Sequence, residues 1–156
     1  MILEIGTVFR WINFPVPRYG EQEKPRWFIC IGFSSIVSGI EDIYLCTTTT
    51  QLNSFKSSGS RKGHRHFIFN TDKFPFFDED CIIDFDEKPY TISKEKLNKC
   101  KDDISIKGKL DNNTLIMIYN YFFLSNNISL LELHDIHTSY NNAGITGLKK
   151  PRPYKK

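Results

Sequence analysis

An arginine and two carboxylates stand together just ahead of an apolar segment of the chain. Glu21 and Glu23 precede Arg26, and residues 27–33 after it are rich in β-branched and aromatic side chains, which predicts a strand. A guanidinium held at the start of a strand beside carboxylates suits the handling of a phosphate group. The plainer interpretation is a surface ion pair, which contributes little to stability.

Two stretches concentrate positive charge, although the net charge of the 156-residue chain is only +3. Residues 61–65 have the sequence RKGHR, and residues 149–156 have the sequence KKPRPYKK without an acid. Local basic patches suit an anionic partner such as nucleic acid, whereas a solvated loop and a solvated tail are the alternative. Histidine changes charge nearest neutral pH, so His64 and His66 are candidates for proton transfer.

A run of hydroxyl side chains ends the third predicted strand. Residues 46–51 have the sequence CTTTTQ. Hydroxyls at a strand end can orient a phosphate or pass a proton. The alternative is a β-branched strand end that leads into a polar turn.

The sequence lacks the motifs of several other kinds of functional site. The histidine pairs at 64/66 and 134/137 do not have the paired ligand spacing of a structural zinc site, and we expect no metal. There is no phosphate-binding glycine-rich loop and no G-x-S-x-G motif, and we expect no cofactor.

The scattered cysteines and the hydropathy favour a cytoplasmic protein. Three of the four cysteines lie in apolar strand-like segments, as expected of reduced thiols rather than a disulfide framework. No segment approaches about 18 consecutive apolar residues, the length of a membrane span. The N-terminus lacks the pattern of a secretory signal. We therefore expect no membrane partner.

The alternation of apolar and turn-forming residues predicts an α+β fold in one domain over residues 1–140, followed by a basic flexible tail over 141–156. The predicted strands form a small antiparallel barrel or sandwich and cover residues 7–14, 27–33, 42–48, 66–69, 81–85 and 90–92. Three helices follow. Ser93 caps the first, which runs to about residue 100, and Asn112 or Asn113 caps the second, over residues 114–124. The third covers roughly residues 128–140. Residues 47–65 are predicted to be a long mobile loop, and residues 104–108 a connection.

Taken in order, these features resemble the MazF/PemK (Kid-like) toxin family. The matching elements are a glycine at Gly6, Glu21-Gln22 ahead of Arg26, the run 46–51, and segment 81–93 before an apolar helix. The resemblance covers roughly Gly6 to Leu124 and lies more in order and spacing than in identity.

The resemblance implies a small SH3-like antiparallel β-barrel with two or three helices packed on it, usually as a homodimer. It implies a metal-independent endoribonuclease, the toxin of a toxin–antitoxin pair, whose partners are single-stranded RNA and a cognate antitoxin protein. In such enzymes the ribose 2′-hydroxyl attacks the adjacent phosphate and leaves a 2′,3′-cyclic phosphate and a 5′-hydroxyl.

The resemblance also implies roles for individual residues. Arg26 stabilises the charge of the transition state, and the hydroxyl residue is Thr47 or Thr49, depending on the end from which the run is aligned. The general base is Glu21 or, as in the Kid branch, Asp86. Apart from the resemblance, phosphate contacts dominate the affinity for RNA, and the residues that we expect to bind it are Gln51, Arg61, Lys62, His64 and Arg65.

Departures from the family pattern support an alternative. Trp27 follows Arg26 where the family has proline, Pro25 replaces a basic or imidazole residue, and Asp84 stands where the Kid branch has arginine. The loop 47–65, called the basic loop because it ends in the basic residues 61–65, and residues 125–156 are additions to the minimal family pattern. These differences favour, as the second hypothesis, a non-catalytic SH3-like module that binds protein or nucleic acid.

Overall fold

The computed structural model describes residues 3–20, 24–34 and 41–153. Over these residues the chain forms seven strands and three α-helices, which confirms the predicted α+β class. The strands are β1 (Thr7–Trp11), β2 (Arg26–Phe33), β3 (Asp42–Thr49), β4 (His66–Phe69), β5 (Cys81–Asp84), β6 (Tyr90–Ser93) and β7 (Ile104–Lys109). The helices are α1 (Lys94–Lys99), α2 (Asn112–Phe123) and α3 (Leu130–Asn142). None of the described helices is long and apolar enough to cross a membrane.

All strand pairs are antiparallel, in the order β4-β5-β3-β2-β1-β7, with β6 also paired to β3. Strand β3 is the centre of this arrangement: β2 lies along one edge, and the other edge is shared by β6 and then β5. Across the described residues the sheet is not closed into a barrel, since β4 and β7 pair with β5 and β1 and not with each other.

Strand β7 corrects the prediction of a simple connection at residues 104–108. It pairs with β1 from Thr7↔Lys109 to Trp11↔Ile104. Its short sequence, ISIKGK, mixes charged residues with a glycine, and Ile106 is 54% exposed, as suits an edge strand. A Cβ at Gly108 would lie 2.6 Å from the ring of Phe76, so the missing side chain lets this ring cover the strand.

An aromatic cluster fills the core beside β1 and β2. The rings of Trp11, Phe14 and Phe28 lie 4.7–6.0 Å apart between centroids, and the Tyr90 ring from β6 joins them. Helix α3 packs on β2, where a Cβ at Gly32 would lie 3.0 Å from Ile136. These contacts hold the first residues of β2 on a rigid base.

The helix starts follow capping rules. Ser93 caps α1 as predicted, and its hydroxyl accepts a hydrogen bond from Lys96 N. Asp111 caps α2, so the assignment of the cap to Asn112 or Asn113 was wrong by one or two residues. Ser129 and Glu132 form a reciprocal capping box that begins α3 at Leu130.

The segment after α3 contacts the helices. Ile145 is buried, the Tyr119 hydroxyl donates to the Lys149 carbonyl at 2.5 Å, and the His134 ring lies 2.7 Å from the Arg152 carbonyl. The domain boundary near residue 140 stays a prediction.

Candidate functional site

A groove of about 460 Å³ lies where β2 begins and β3 ends. Its lining includes Arg26 and Trp27 of β2 and Thr47–Thr49 of β3. The loops that precede β2, β5 and β6 contribute residues 18–20, 78–79 and 87–88 to its sides. The groove therefore brings together several of the predicted site residues, namely Arg26, Thr47, Thr49, Gln51 and Arg61.

Arg26 is held at the start of β2. It pairs in register with the buried Trp11 of β1, and its Nη2 donates a hydrogen bond of 2.5 Å to the Tyr19 carbonyl. Gly20 has φ +77°, and a Cβ at this position would lie 3.1 Å from Nη2 of Arg26. A glycine is thus favoured here both by its backbone conformation and by the close approach of the guanidinium.

Strand register relates Arg26 to the threonine run. The pairs between β2 and β3 end at Phe28↔Thr47, and the same antiparallel register extended by two residues would set Thr49 opposite Arg26. Because side chains alternate along a strand, Arg26, Thr47 and Thr49 share one face, and Thr48 faces the other way. The sequence left Thr47 and Thr49 as alternatives, and the register favours Thr49 as the direct neighbour of Arg26.

The two threonines have different hydrogen bonds. The Thr47 hydroxyl donates to the Trp27 carbonyl at 3.2 Å. The Thr49 hydroxyl oxygen accepts from Gln51 N at 3.1 Å, which leaves its own proton for donation. Thr49 is therefore the better placed of the two to donate a hydrogen bond into the groove.

Positive charge exceeds negative charge along the groove. The cationic lining residues are Arg10, Arg18, Lys24, Arg26, Arg61 and Lys88, and the acidic ones are Asp78, Glu79 and Glu87. An excess of cations in a concave site attracts anions such as phosphates. Sequence reasoning selected Arg26 and Arg61 and missed the other four cations, because they come from separate segments that carry no common motif.

The loop before β2 is anchored by Arg18. Its guanidinium donates to the carbonyls of Lys88 and Pro89, the latter at 2.8 Å, and lies 4.1 Å above the Tyr90 ring. Its backbone N–H also donates to the Tyr90 hydroxyl at 3.0 Å. The adjacent Tyr19 side chain is 65% exposed at the rim of the groove, where an aromatic ring can stack on an unpaired base.

A charged cluster borders the groove on the side of β5. The buried carboxylate of Asp84 lies 2.7 Å from Nδ1 of His64 and 3.5 Å from Nη1 of Arg61, and it accepts from Asp86 N at 2.9 Å. Arg61 also lies 3.7 Å from Glu87 and above the Phe55 ring, which is buried in the turn Leu52–Phe55. Arg61 thus joins this cluster to the groove. The sequence showed Asp84 only as a departure from the family pattern, since its partners lie about 20 residues away along the chain.

Of the two predicted general bases, Asp86 is among the described residues, and it does not line the groove with Arg26. Asp86 accepts from Arg65 N at 2.8 Å and lies 3.3 Å from the Arg65 guanidinium, and it is not part of the groove lining. Glu21 lies outside the described residues. Lys62, His64 and Arg65 also lie beyond the groove lining, so the basic loop contributes Arg61 and not its whole length.

One set of side chains has donor atoms close enough to hold a metal ion. The donor atoms of His64, Asp84 and Asp86 lie within 4.8 Å of one another. The two carboxylates already face the guanidinium groups of Arg61 and Arg65, and Nδ1 of His64 is engaged by Asp84. A divalent cation would have to compete with both arginines at this place.

Cys81 lines the groove but is not suited to nucleophilic attack. Burial raises the pKa of its thiol to about 11, and a hydrogen bond with Thr48 only partly offsets this. The thiolate is the reactive form of cysteine, so Cys81 is neutral and inert near pH 7.

Neither the protein-family models nor the curated proteins compared with the sequence match it.

Proposed function

We propose that the chain is a metal-independent endoribonuclease that cleaves single-stranded RNA in the groove at Arg26. The observation that carries this proposal is the groove shared by Arg26 and Thr49, in which six cationic residues outnumber three acidic ones. Positive charge and hydroxyl donors are what a phosphate needs when a neighbouring hydroxyl attacks it.

The chemistry is an internal displacement at phosphorus. The 2′-oxygen of the ribose bonds to the adjacent phosphorus, and the bond from phosphorus to the 5′-oxygen of the next nucleotide breaks. The products are a 2′,3′-cyclic phosphate and a 5′-hydroxyl. Arg26 stabilises the charge on the equatorial oxygens, and the Thr49 hydroxyl donates a hydrogen bond to one of them.

Binding draws on the rest of the groove. Arg10, Lys24 and Lys88 attract the backbone phosphates, whose contacts dominate the affinity for RNA. The exposed ring of Tyr19 stacks on an unpaired base, which favours single-stranded over paired RNA.

The proposals for the fold type, the partners and the cellular role come from the resemblance to the MazF/PemK family. We propose an SH3-like variant of the fold, in which β3 is shared by β2, β5 and β6, and a toxin that acts in the cytoplasm as a homodimer with a cognate antitoxin. These proposals depend on the order of the sequence features from Gly6 to Leu124.

One observation favours the second candidate, a non-catalytic module that binds RNA or protein. Asp86, one of the two predicted bases, is engaged by Arg65 and does not line the groove. A module of this kind would keep the cationic groove and its affinity for RNA but would not cut it.

Cleavage of a long single-stranded RNA in EDTA, followed by analysis of the fragment ends, separates the two candidates. The nuclease gives discrete cuts that end in 2′,3′-cyclic phosphate, and Arg26→Ala lowers the rate by about 100- to 1000-fold. Lys62→Ala, which removes a cation of the segment 61–65 that lies outside the groove lining, is the control and keeps the wild-type activity. Folded wild-type protein that binds the RNA without cutting it would establish the binding module.

A further inference from the structure

We propose that Glu87 is the general base of this groove and that Arg61 positions its carboxylate. This inference rests on the proposed nuclease function, which requires a group to take the proton from the attacking 2′-hydroxyl. Among the described residues, the carboxylates that line the groove are those of Asp78, Glu79 and Glu87.

Burial separates Glu87 from the other two. Its side chain is 29% exposed, whereas the side chain of Asp78 is 66% exposed and Glu79 is also exposed. A general base has to be held within hydrogen-bond reach of the proton that it takes, and a partly buried carboxylate meets this need better than a freely rotating one.

A chain of charged contacts fixes Glu87 in the groove wall. Its Oε1 lies 3.7 Å from Nη2 of Arg61, and Nη1 of the same guanidinium lies 3.5 Å from the buried carboxylate of Asp84. Asp84 is held in turn by His64 at 2.7 Å. The planar guanidinium presents separate N–H groups to two carboxylates, which a lysine ammonium cannot do with the same geometry.

Local backbone contacts support the same placement. The Glu87 N–H donates to the Asp84 carbonyl at 3.4 Å, so the turn after β5 carries both carboxylates. The ring of Phe55 lies 5.7 Å from the Arg61 guanidinium and limits its movement from below. His64 and Asp84 lie outside the groove lining, so their part is to position Arg61 and not to contact the RNA.

The proton transfer to Glu87 accompanies the displacement at phosphorus. The Glu87 carboxylate accepts the proton of the 2′-hydroxyl as the 2′-oxygen bonds to phosphorus. The electron pair of the breaking bond leaves with the 5′-oxygen, which takes a proton from water. Glu87 then returns its proton to solvent, and the charge of Arg61 helps to offset the negative charge at the phosphate.

The test compares Glu87→Gln with Glu95→Gln, which removes an exposed carboxylate of α1 that lies outside the groove lining. Each variant is assayed for single-turnover cleavage of a single-stranded RNA and for affinity to the same RNA with a 2′-deoxy nucleotide at the cut. We expect Glu87→Gln to lower the cleavage rate by about 100-fold or more, with affinity unchanged within about twofold. Glu95→Gln keeps the wild-type rate.

A second variant tests whether Arg61 positions the Glu87 carboxylate. Arg61→Lys keeps the positive charge but loses the two-sided contact, so it lowers the cleavage rate without the same loss of affinity. In the double variant with Glu87→Gln, the loss of cleavage rate is smaller than the two single losses combined. The reason is that Arg61 acts on the rate through the Glu87 carboxylate, which this variant lacks.

The outcomes separate this inference from the proposed function. Wild-type cleavage that is lost in Arg26→Ala but retained in Glu87→Gln overturns the role of Glu87 and leaves the nuclease standing. Absence of cleavage by folded wild-type protein overturns both. Loss of cleavage in Glu87→Gln together with an equal loss of affinity shows a binding role and also overturns the assignment as base.

Discussion

The Nη2 atom of Arg26 lies 2.5 Å from the carbonyl oxygen of Tyr19, so the central cation of the groove is tied to the loop that precedes its strand. The neighbouring Gly20 leaves room for this contact, since a Cβ there would lie 3.1 Å from the same nitrogen. The position of the guanidinium therefore depends on the loop as well as on β2.

Gly20→Ala tests this dependence. Gly20 has φ +77°, so an alanine costs about 1 kcal/mol in backbone conformation, and its Cβ also crowds Arg26. Gly144→Ala is a matched control, because Gly144 has φ +87° but no atom within 4 Å of the added Cβ. We expect both variants to lose similar free energy of unfolding in urea, and only Gly20→Ala to cleave RNA more slowly. Equal cleavage by the two variants would show that the contact with Gly20 does not matter.

The register of β2 and β3 predicts different effects for two neighbouring hydroxyls. Thr49→Val removes the group opposite Arg26, and we expect the cleavage rate to fall by about 10- to 100-fold because a hydrogen-bond donor to the phosphate is lost. Thr47→Val removes a bond to the Trp27 carbonyl and costs about 1 kcal/mol of stability, with little change in rate. Single-turnover rates and thermal melting distinguish the variants, and the reverse ranking of rates would favour Thr47 as the hydroxyl of the site.

Asp84→Asn is expected to destabilise the fold. The carboxylate is only 4% exposed, faces His64 and Arg61 and accepts from Asp86 N, so neutralising it weakens the contacts of a buried polar group, at a cost of about 1–3 kcal/mol. Asp78→Asn removes a largely exposed carboxylate 4.0 Å from Arg10 and should change stability by less than about 0.5 kcal/mol. Urea unfolding of both variants measures the difference, and two equal values would contradict a structural role for Asp84.

Buried thiols and phenols make the fold sensitive to alkaline pH. Burial raises the pKa of Cys30 and of Tyr119 to about 12, and it also raises the pKa values of Cys46 and Tyr140. The unfolded chain ionises these groups at lower pH than the folded chain. The stability they contribute is therefore fully present below pH 9, the ordinary thiol value, and is lost as the pH rises toward 12.

Urea unfolding under reducing conditions at pH 8 and pH 10.5 tests this effect. The free energy of unfolding should fall between the two values, and Cys30→Ala should reduce the fall because one of the shifted groups is gone. Equal stability at the two pH values would show that these groups titrate alike in the folded and unfolded chain.

Much of the local structure could be predicted from the sequence. The apolar and β-branched runs at Arg26–Phe33 and His66–Phe69 form strands, and Ser93 caps α1, because neighbours along the chain decide these features. Strand β7 was missed because its short, charged sequence becomes a strand only by pairing with β1.

The sequence by itself also singled out Arg26 and the threonine run, since a guanidinium and hydroxyls at strand ends have a recognisable chemistry. Only the tertiary structure brought Thr49 and Arg26 into one groove, paired Asp86 with Arg65, and placed Glu87 beside Arg61 in the groove lining. Pairing register and loop packing depend on contacts between residues far apart in the chain. Neither spacing nor composition specifies those contacts, and a single-residue shift of β3 would turn Thr49 to the other face of the sheet.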